Sequence, residues 1–147
     1  GKIKDKYIRD GISEFSKRLS RYANLNIIEL PEEDDNKGIG TAITKETERI
    51  IDALNKRNRS YSILLDLKGK LKSSEEMAEE IENISLQHSE INFIIGGSNG
   101  VDDELRKLVD FRLAFSSFTF PHQLMRLILM EQIYRWISIT KNIKYHK

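Results

Sequence analysis

The residues best suited to chemistry lie in two short segments of the second half of the chain. Gly96-Gly97-Ser98-Asn99-Gly100 directly follows an apolar run, and the stretch from Phe115 to His122 holds three phenylalanines with small hydroxyl residues between them. Glycine lets a backbone approach a ligand closely and offers amide groups without a side chain in the way. Aromatic and hydroxyl side chains together can enclose a planar base. Each segment also has a structural interpretation: a tight strand-to-helix turn for the first, and core-filling phenylalanines with turn-capping hydroxyls for the second.

His122 and Arg126 are four residues apart, so on a helix they share a face and can converge on one substrate. The alternative is a buried, satisfied histidine or an ordinary surface pair. The three histidines, His88, His122 and His146, are scattered and the chain has no cysteine, so we expect no metal centre. The glycine segment is neither GxGxxG nor a phosphate-binding loop, and no Gly-x-Ser-x-Gly or His-Glu-x-x-His motif occurs, which leaves hydrolases and metalloproteases without their usual support.

Periodic apolar residues predict the elements that must position these segments. Amphipathic helices are predicted over about 5–22, over 43–54, from a Ser73/Glu76 capping box onward, over 102–109 and over 121–141. Strands are predicted over 25–30, 61–67, 91–95 and 111–116, with a loop over 32–40 and a turn at 68–70.

Strands that alternate with helices predict an α/β fold with a mainly parallel sheet and helices on both faces. The chain has no internal repeat, low-complexity segment or linker, so residues 1–147 are expected to form a single domain. Ligands of such sheets bind beyond the carboxyl ends of the strands. Three of these ends stand out, at 66–70, 96–100 and 116–122.

Composition narrows the class of protein further. The 147 residues are 39% apolar and 32% charged, without cysteine, which excludes thiolate nucleophiles, CxxC redox sites and cysteine-ligated zinc and fits a reducing cytosol. No apolar run approaches the roughly 18 residues of a membrane span, and no signal peptide is recognisable. We therefore expect a cytoplasmic protein that does not bind membranes.

The net charge is only +1, but the charges are unevenly distributed. Both ends of the chain are basic, and acidic residues collect at 29–35 and 75–82. The two ends would form one cationic face if they met in the fold or across a dimer; otherwise they are solvated helix faces.

The final predicted helix is apolar around most of its circumference. In a chain this short, such a helix is expected to pack on its own sheet and on a partner at once. We therefore predict a homodimer through residues 121–141.

Three motifs together are far more specific than any one of them. These are Ile95-Gly96-Gly97-Ser98-Asn99-Gly100, then Phe115-Ser116-x-x-Thr119-Phe120-Pro121-His122-Gln123-x-x-Arg126, and a terminal Tyr145-His146-Lys147. In this combination the chain resembles, over essentially its whole length, the ribosomal large-subunit RNA methyltransferase H family of SPOUT methyltransferases. That family begins with a short strand ahead of the Gly-Lys that is Gly1-Lys2 here, so the first strand is expected to be absent from this chain.

The resemblance implies an α/β sheet with a C-terminal trefoil knot. It also implies a homodimer that uses S-adenosylmethionine to methylate N3 of a pseudouridine in a stem-loop of 23S ribosomal RNA on the assembled ribosome. By the same analogy, the cofactor would be bound by Leu65, Gly96, Phe115, Ser116, Ser117, Phe118, Thr119 and Phe120.

Methylation of an imide nitrogen requires a proton acceptor and a donor or cation for the developing oxyanion. Under the family analogy, His122 or His146 would accept the proton, Arg126 would stabilise the charge, and Tyr145 would stack on or hydrogen-bond the target base, with the terminal residues docked in the partner's pocket. Two other functions stay open: a SPOUT methyltransferase acting on transfer RNA, and a non-catalytic ribosome-binding module. Either enzyme must bind the cofactor, whereas a binding module need not.

Overall fold

The computed structural model describes residues 1–57 and 59–147, and within them the chain forms five α-helices and three β-strands. In chain order these are α1 (Lys6–Leu19), α2 (Ile39–Asn55), β1 (Ser60–Leu71), α3 (Ser74–Gln87), β2 (Glu90–Ile94), α4 (Asp103–Leu108), β3 (Phe111–Ala114) and α5 (His122–Thr140), with a short 3-10 helix at Asp35–Lys37. None of the helices in the described residues is long and apolar enough to cross a membrane.

The strands form the parallel sheet that the sequence predicts. β1 is central, with β2 on one side and β3 on the other, and Ile63 opposes Phe93 in the first pair and Phe111 in the second. Side chains alternate between the faces of a strand, so the neighbours Ile63 and Leu64 point to opposite faces, and both are fully buried. The continuous apolar run of β1 is explained by this burial on two sides.

Helices cover both faces of the sheet. On one face Ile63 and Leu113 pack with α3 and α5, and on the other face Leu64 and Ile94 pack with α2 and α4. The predicted capping box of α3 is present between Ser73 and Glu76. α4 is capped by Asp102, whose carboxylate accepts hydrogen bonds from two backbone amides of the helix.

The predicted turn at 68–70 is wrong, because β1 continues to Leu71 with an irregularity in its pairing. Leu65 and Lys70 both oppose Leu113 of β3, so the register shifts between them. Gly69 is required at this point, since a Cβ there would lie 2.8 Å from the carbonyl oxygen of Arg112. The chain thus makes a bulge inside a strand where the sequence suggests that the strand has ended.

Asp66 secures the bulge from inside the protein. Its carboxylate, which is 7% exposed, lies 3.1 Å from Arg106 Nε and 3.6 Å from Arg112 Nη1, and it also accepts a hydrogen bond from the Lys68 amide. A buried carboxylate with two guanidinium partners joins β1 to α4 and β3.

The predicted strand at 25–30 is also wrong, since this segment forms no regular secondary structure and belongs to no sheet in the described residues. Strand hydrogen bonds need a neighbouring strand, and residues 25–30 pair with neither β2 nor β3. Ile27 and Ile28 are accordingly 51% and 52% exposed. The loop predicted over 32–40 contains the 3-10 helix, and α2 begins at Ile39, earlier than its periodicity indicates.

α1 packs on α5 in parallel orientation. The backbone amide of Lys4 donates to Gln123 at the start of the two helices, and the ring of Phe15 meets that of Tyr134 further along. Gly11 permits the close approach, because a Cβ there would lie 2.7 Å from Leu127 Cδ1.

This packing accounts for most of the apolar circumference of α5. Five of its residues pack with α1, three pack with α3 and the sheet, and Ile133 contacts both clusters: Leu124, Leu127, Met130, Tyr134 and Ile137 in the first group, and Leu129, Trp136 and Ile139 in the second. The apolar pattern from which a dimer is predicted is therefore largely satisfied within one chain.

Replacing Asp66 by alanine should lower the free energy of unfolding by about 2 kcal/mol, because it leaves two guanidinium groups without their shared, buried partner. Asp103→Ala is the matched control, since Asp103 pairs with the same Arg106 but its side chain is 82% exposed. It should cost less than about 1 kcal/mol. Urea unfolding of the two variants measures both values, and equal losses would contradict a structural role for the buried carboxylate.

Candidate active site

The carboxyl ends of β2 and β3 lie on either side of Leu65 in the bulged part of β1. Leu64 opposes Ile94 and Leu65 opposes Leu113, so Leu65, Gly96 and Phe115 follow positions that are adjacent across the ladder. Parallel strands end on the same side. The three segments that the sequence singles out are thereby brought together, although they are about 20 to 50 residues apart in the chain.

The glycine segment makes a tight, closed loop. Gly97 and Gly100 form an isolated bridge, the Gly100 amide donates to the Gly97 carbonyl at 3.0 Å, and Gly100 has a φ of 86°, which favours glycine. A Cβ on Gly97 would collide with the carboxylate of Glu46, and the Asn99 side chain donates to Asp35. The turn interpretation of this segment is therefore correct, and the same turn leaves backbone groups at the sheet edge.

The loop after β3 has features of both interpretations, that of a core-filling turn and that of a segment that can enclose a ligand. Phe115 is half-buried and meets Trp136 edge-on, with ring centroids 6.3 Å apart, so it does fill the core. The Ser116 hydroxyl accepts a hydrogen bond from the Phe118 amide and stabilises a turn. The Phe118 side chain is 75% exposed, which the core-filling interpretation does not explain. Ser117 and Thr119 are exposed, and Phe120 is half-buried.

A cavity of about 280 Å³ lies beside this loop, between the start of α3 and one side of α5. Phe115, Phe120 and Trp136 form its aromatic wall, while Ser74 and Gln132 line its polar side and are hydrogen-bonded to each other at 3.2 Å. Leu65 and Gly96 do not line it. The cavity therefore adjoins the sheet edge without coinciding with it.

His122 and Arg126 lie at the start of α5 and face the segment from Glu29 to Glu32, with the first residue of the chain beside it. His122 Nε2 lies 3.1 Å from Glu32 Oε1, and Arg126 pairs with Glu29 at 3.1 Å and donates to the Gly1 carbonyl. Burial acts to raise the pKa of the Glu32 carboxyl, but the hydrogen bond with His122 and nearby positive charges outweigh it and hold the pKa below its ordinary value. Glu32 is thus an acceptor, so His122 Nε2 carries the proton of this bond.

Tyr145 and His146 dock on their own chain. The Tyr145 hydroxyl donates to Glu131 Oε1 at 2.9 Å, and the Arg135 guanidinium lies 4.9 Å from the centre of the Tyr145 ring. His146 contacts Arg135 Nη1 through Nδ1, at 3.1 Å, and Glu75 through Nε2, at 2.6 Å. Glu75 and Glu131 are sequence neighbours of Ser74 and Gln132, so the end of the chain lies next to the cavity.

Two pKa shifts report on this docking. Burial raises the pKa of the Tyr145 hydroxyl, and its hydrogen bond to Glu131 raises it further, so the hydroxyl remains a donor at neutral pH. The hydrogen bond with His146 lowers the pKa of Glu75.

The structure thus divides the candidate catalytic residues into two pairs. His122 and Arg126 lie at one end of α5, whereas Tyr145 and His146 contact residues two to three turns further along; nine residues of helix, from 122 to 131, span about 13 Å. Sequence reasoning missed Glu32, Glu75 and Arg135 as contacts of these groups. The spacing of four between Glu131 and Arg135 indicates their pairing, but nothing local connects Glu32 with His122.

The described residues contain no group of three or more acidic, histidine or cysteine side chains arranged to hold a metal ion. The groups that the structure describes at the site are backbone amides, aromatic rings, two histidines and paired guanidinium groups.

Comparison with known proteins now defines the class of protein. The model of a family described as "Predicted SPOUT methyltransferase" matches residues 1–146 of the chain. The parallel α/β sheet with loops collected at its carboxyl edge is consistent with that class.

Full-length similarity specifies the family within this class. Proteins named "Ribosomal RNA large subunit methyltransferase H" from Fusobacterium nucleatum and Alkaliphilus oremlandii are 58% and 48% identical, and each alignment covers all of this chain and 95% of the relative. A putative counterpart from Methanococcus maripaludis is 46% identical with the same coverage. The chain belongs to the ribosomal RNA large subunit methyltransferase H family.

The docking of His146 predicts a particular titration of Glu75. The folded-state pKa of Glu75 is lowered from 4.5, so its contact with His146 is formed above pH 4.5 and is lost as the pH falls through the lowered pKa. In His146→Gln the largest cause of this shift is removed, and the midpoint should rise towards 4.5. Carbon-detected NMR of the carboxyl groups measures it.

Glu76 is the internal control, since its pKa is lowered by hydrogen bonds to Ser73 rather than by His146. Its midpoint should stay below 4.5 in both proteins. A Glu75 midpoint that is the same with and without His146 would show that the end of the chain does not dock as described.

Proposed function

We propose that this protein is an S-adenosylmethionine-dependent methyltransferase that methylates N3 of a pseudouridine in a stem-loop of 23S ribosomal RNA, on the assembled ribosome in the cytoplasm. The observation that carries the proposal is the meeting of Leu65, Gly96 and Phe115 at one edge of the sheet, in a chain whose relatives are named as methyltransferases of large-subunit ribosomal RNA. The finer target follows the family resemblance of the three sequence motifs.

The sheet edge fits S-adenosylmethionine in its chemistry. This cofactor has a planar adenine and no phosphate, so a glycine loop without an adjoining phosphate-binding lysine is suitable, and the loop after β3 adds an exposed aromatic side chain, Phe118. We propose that the backbones of Leu65 and Gly96 and the segment from Phe115 to Phe120 hold the cofactor, including Ser116, Ser117 and Thr119. When bound, S-adenosylmethionine supplies a methyl group that a nitrogen nucleophile can accept.

His122 is the better placed of the two candidate proton acceptors. Its Nε2–H donates to Glu32, and its Nδ1 makes no hydrogen bond within the described residues, so Nδ1 is available to accept the N3 proton. Both ring nitrogens of His146 are occupied, by Glu75 and Arg135. We therefore assign proton acceptance to His122, and leave orientation of the base to His146 and Tyr145.

Arg126 completes this arrangement one helical turn after His122. Its guanidinium is held by Glu29 and the Gly1 carbonyl, and it supports the oxyanion that develops when the imide loses its proton. Tyr145 retains its hydroxyl proton and can stack on or donate to an extruded base.

The proposal includes a homodimer through α5 and the C-terminal trefoil knot that the resemblance implies. Met125 and Ile128 are half-buried apolar residues of α5 that belong to neither core cluster, so they are available to a partner. In such a dimer, the end of one chain, still docked on its own Glu131 and Glu75, would lie beside the other chain's site, so that Tyr145 and His146 would adjoin the His122 pair from which they are separated within one chain.

The decisive experiment incubates the protein with labelled S-adenosylmethionine and, in parallel, assembled ribosomes, free ribosomal RNA and bulk transfer RNA. We expect label only with ribosomes, in a pseudouridine of the large-subunit RNA that is located by mass mapping. Label in transfer RNA would overturn the substrate but keep the enzyme class. Absence of cofactor binding would overturn the enzyme altogether.

His122→Gln should lower the rate of methyl transfer at least about 100-fold, because a positioned general base contributes this much or more, while S-adenosylmethionine binding is retained. The comparison is His146→Gln, which should lower the rate by less than His122→Gln, because His146 orients the nucleotide base without accepting its proton. If His146→Gln causes the larger loss, the two roles are reversed.

Met125→Glu should weaken the dimer, since it buries an unpaired charge in the proposed interface. Leu86→Glu introduces the same charge at an apolar residue of α3 that is 81% exposed, and should leave the dimer intact. Sedimentation on dilution measures both, and a monomeric parent protein would refute the interface.

A further inference from the structure

The positive charge of this protein is concentrated in two stretches of the chain. Residues 15–28 and 132–147 together contain seven lysines and arginines and no aspartate or glutamate. The other 117 residues contain the remaining 17 basic residues and all 23 acidic ones, so they carry a net charge of −6. A nearly neutral chain therefore consists of a strongly cationic portion and an anionic remainder.

The fold brings these two stretches together. α1 and α5 are parallel, so the C-terminal ends of both helices lie on the same side of the molecule. Two contacts join the stretches directly: Lys141 Nζ lies 5.9 Å from the centre of the Tyr22 ring, and the Arg18 guanidinium lies 5.7 Å from that of Tyr134. These two basic stretches thus meet within one chain, whereas the basic residues from Lys2 to Arg9 lie at the opposite end of α1.

Most of these cations have no acidic partner in the part of the chain that the structure describes. Arg18 and Arg135 pair with Glu14 and Glu131. The other five are exposed and form no salt bridge among the described residues, and we call them the cationic end: Lys17, Arg21, Lys141, Lys144 and Lys147.

Stabilisation of the two helix ends does not account for five free cations. Each helix C-terminus carries roughly half a negative charge, so the two parallel helices together present about one unit. The cationic end exceeds that by about four charges. Like charges held this close repel one another, so an arrangement that keeps them together favours a polyanionic ligand.

We propose that the cationic end is the surface through which this protein binds RNA, by contacts with consecutive phosphate groups. This assignment rests on the proposed function and identifies the part of the molecule that binds the RNA substrate. RNA fits because it presents a regular row of single negative charges, and because Tyr22, 37% exposed beneath Lys141, offers a ring for base or sugar stacking. The surface continues into Tyr145 and His146, so RNA bound there leads to the candidate active site.

The test is the salt dependence of ribosome binding by the full-length protein. In Lys17→Gln/Arg21→Gln two cations are removed from the surface without touching Tyr145 or His146. Each phosphate contact contributes about 0.7 to 0.9 to the slope of log affinity against log salt. We expect the slope of this variant to be shallower by about 1.4 to 1.8, and KM for ribosomes to rise at low salt.

Lys56→Gln/Lys107→Gln is the matched control. It removes the same charge from exposed lysines of the α2 and α4 layer, on the opposite face of the sheet. Its slope and its KM should equal those of the parent protein. Circular dichroism and thermal unfolding establish that both double variants remain folded.

The possible results separate this proposal from the proposed function. If the parent protein methylates ribosomes but the cationic-end variant and the control variant have equal slopes, the proposed RNA surface is wrong and the proposed activity is supported. If the slope is shallower only in Lys17→Gln/Arg21→Gln, the proposed RNA surface is supported. This holds even when no methyl transfer is detected, a result that would refute the proposed activity. A parent protein that does not bind ribosomes at about 50 mM salt overturns the surface.

Discussion

The arrangement of this protein depends on the need of one strand, β1, to bury both of its faces. Parallel partners on either side occupy its backbone groups, so Ile63 and Leu64 must each find an apolar layer. α3 and α5 supply one layer, and α2 and α4 supply the other. Because all three strands point the same way, the loops that follow β2 and β3 share one edge, and Gly96 and Phe115 begin them on either side of Leu65 in the bulged part of β1.

α5 connects the packing of the sheet to the packing of α1 and of the end of the chain. One side of the helix packs on the sheet and α3, which leaves its other apolar side to be covered, and α1 covers it in parallel orientation. The missing side chain of Gly11 allows the helices to approach closely. Parallel packing in turn collects two helix C-termini, and the basic residues that follow them, at one end of the molecule, next to the docked Tyr145 and His146.

Electrostatic contacts then set the state of the candidate catalytic groups. Glu32 accepts a hydrogen bond from His122 Nε2, and Nδ1 has no partner among the described residues, whereas Glu75 and Arg135 contact both nitrogens of His146. The two histidines therefore differ in how many of their ring nitrogens are held by neighbouring side chains. Similarly, Asp66 joins the bulge of β1 to α4 and β3, and holds in place the part of the strand in which Leu65 lies.

Structural features that depend on contacts between near neighbours in the chain could be predicted from the sequence. The periodicity of the helices, the caps at Ser73 and Asp102, the buried strands and the parallel α/β class follow from contacts between near neighbours and from burial. Pairing between distant segments could not be predicted from the sequence. Residues 25–30 have strand-forming side chains but no neighbouring strand, and β1 continues past Gly69 because β3 lies beside it. For the same reason, the links of His122 to Glu32 and of His146 to Glu75 emerge only from the folded chain, since side chains 90 and 71 residues apart become partners through packing elsewhere.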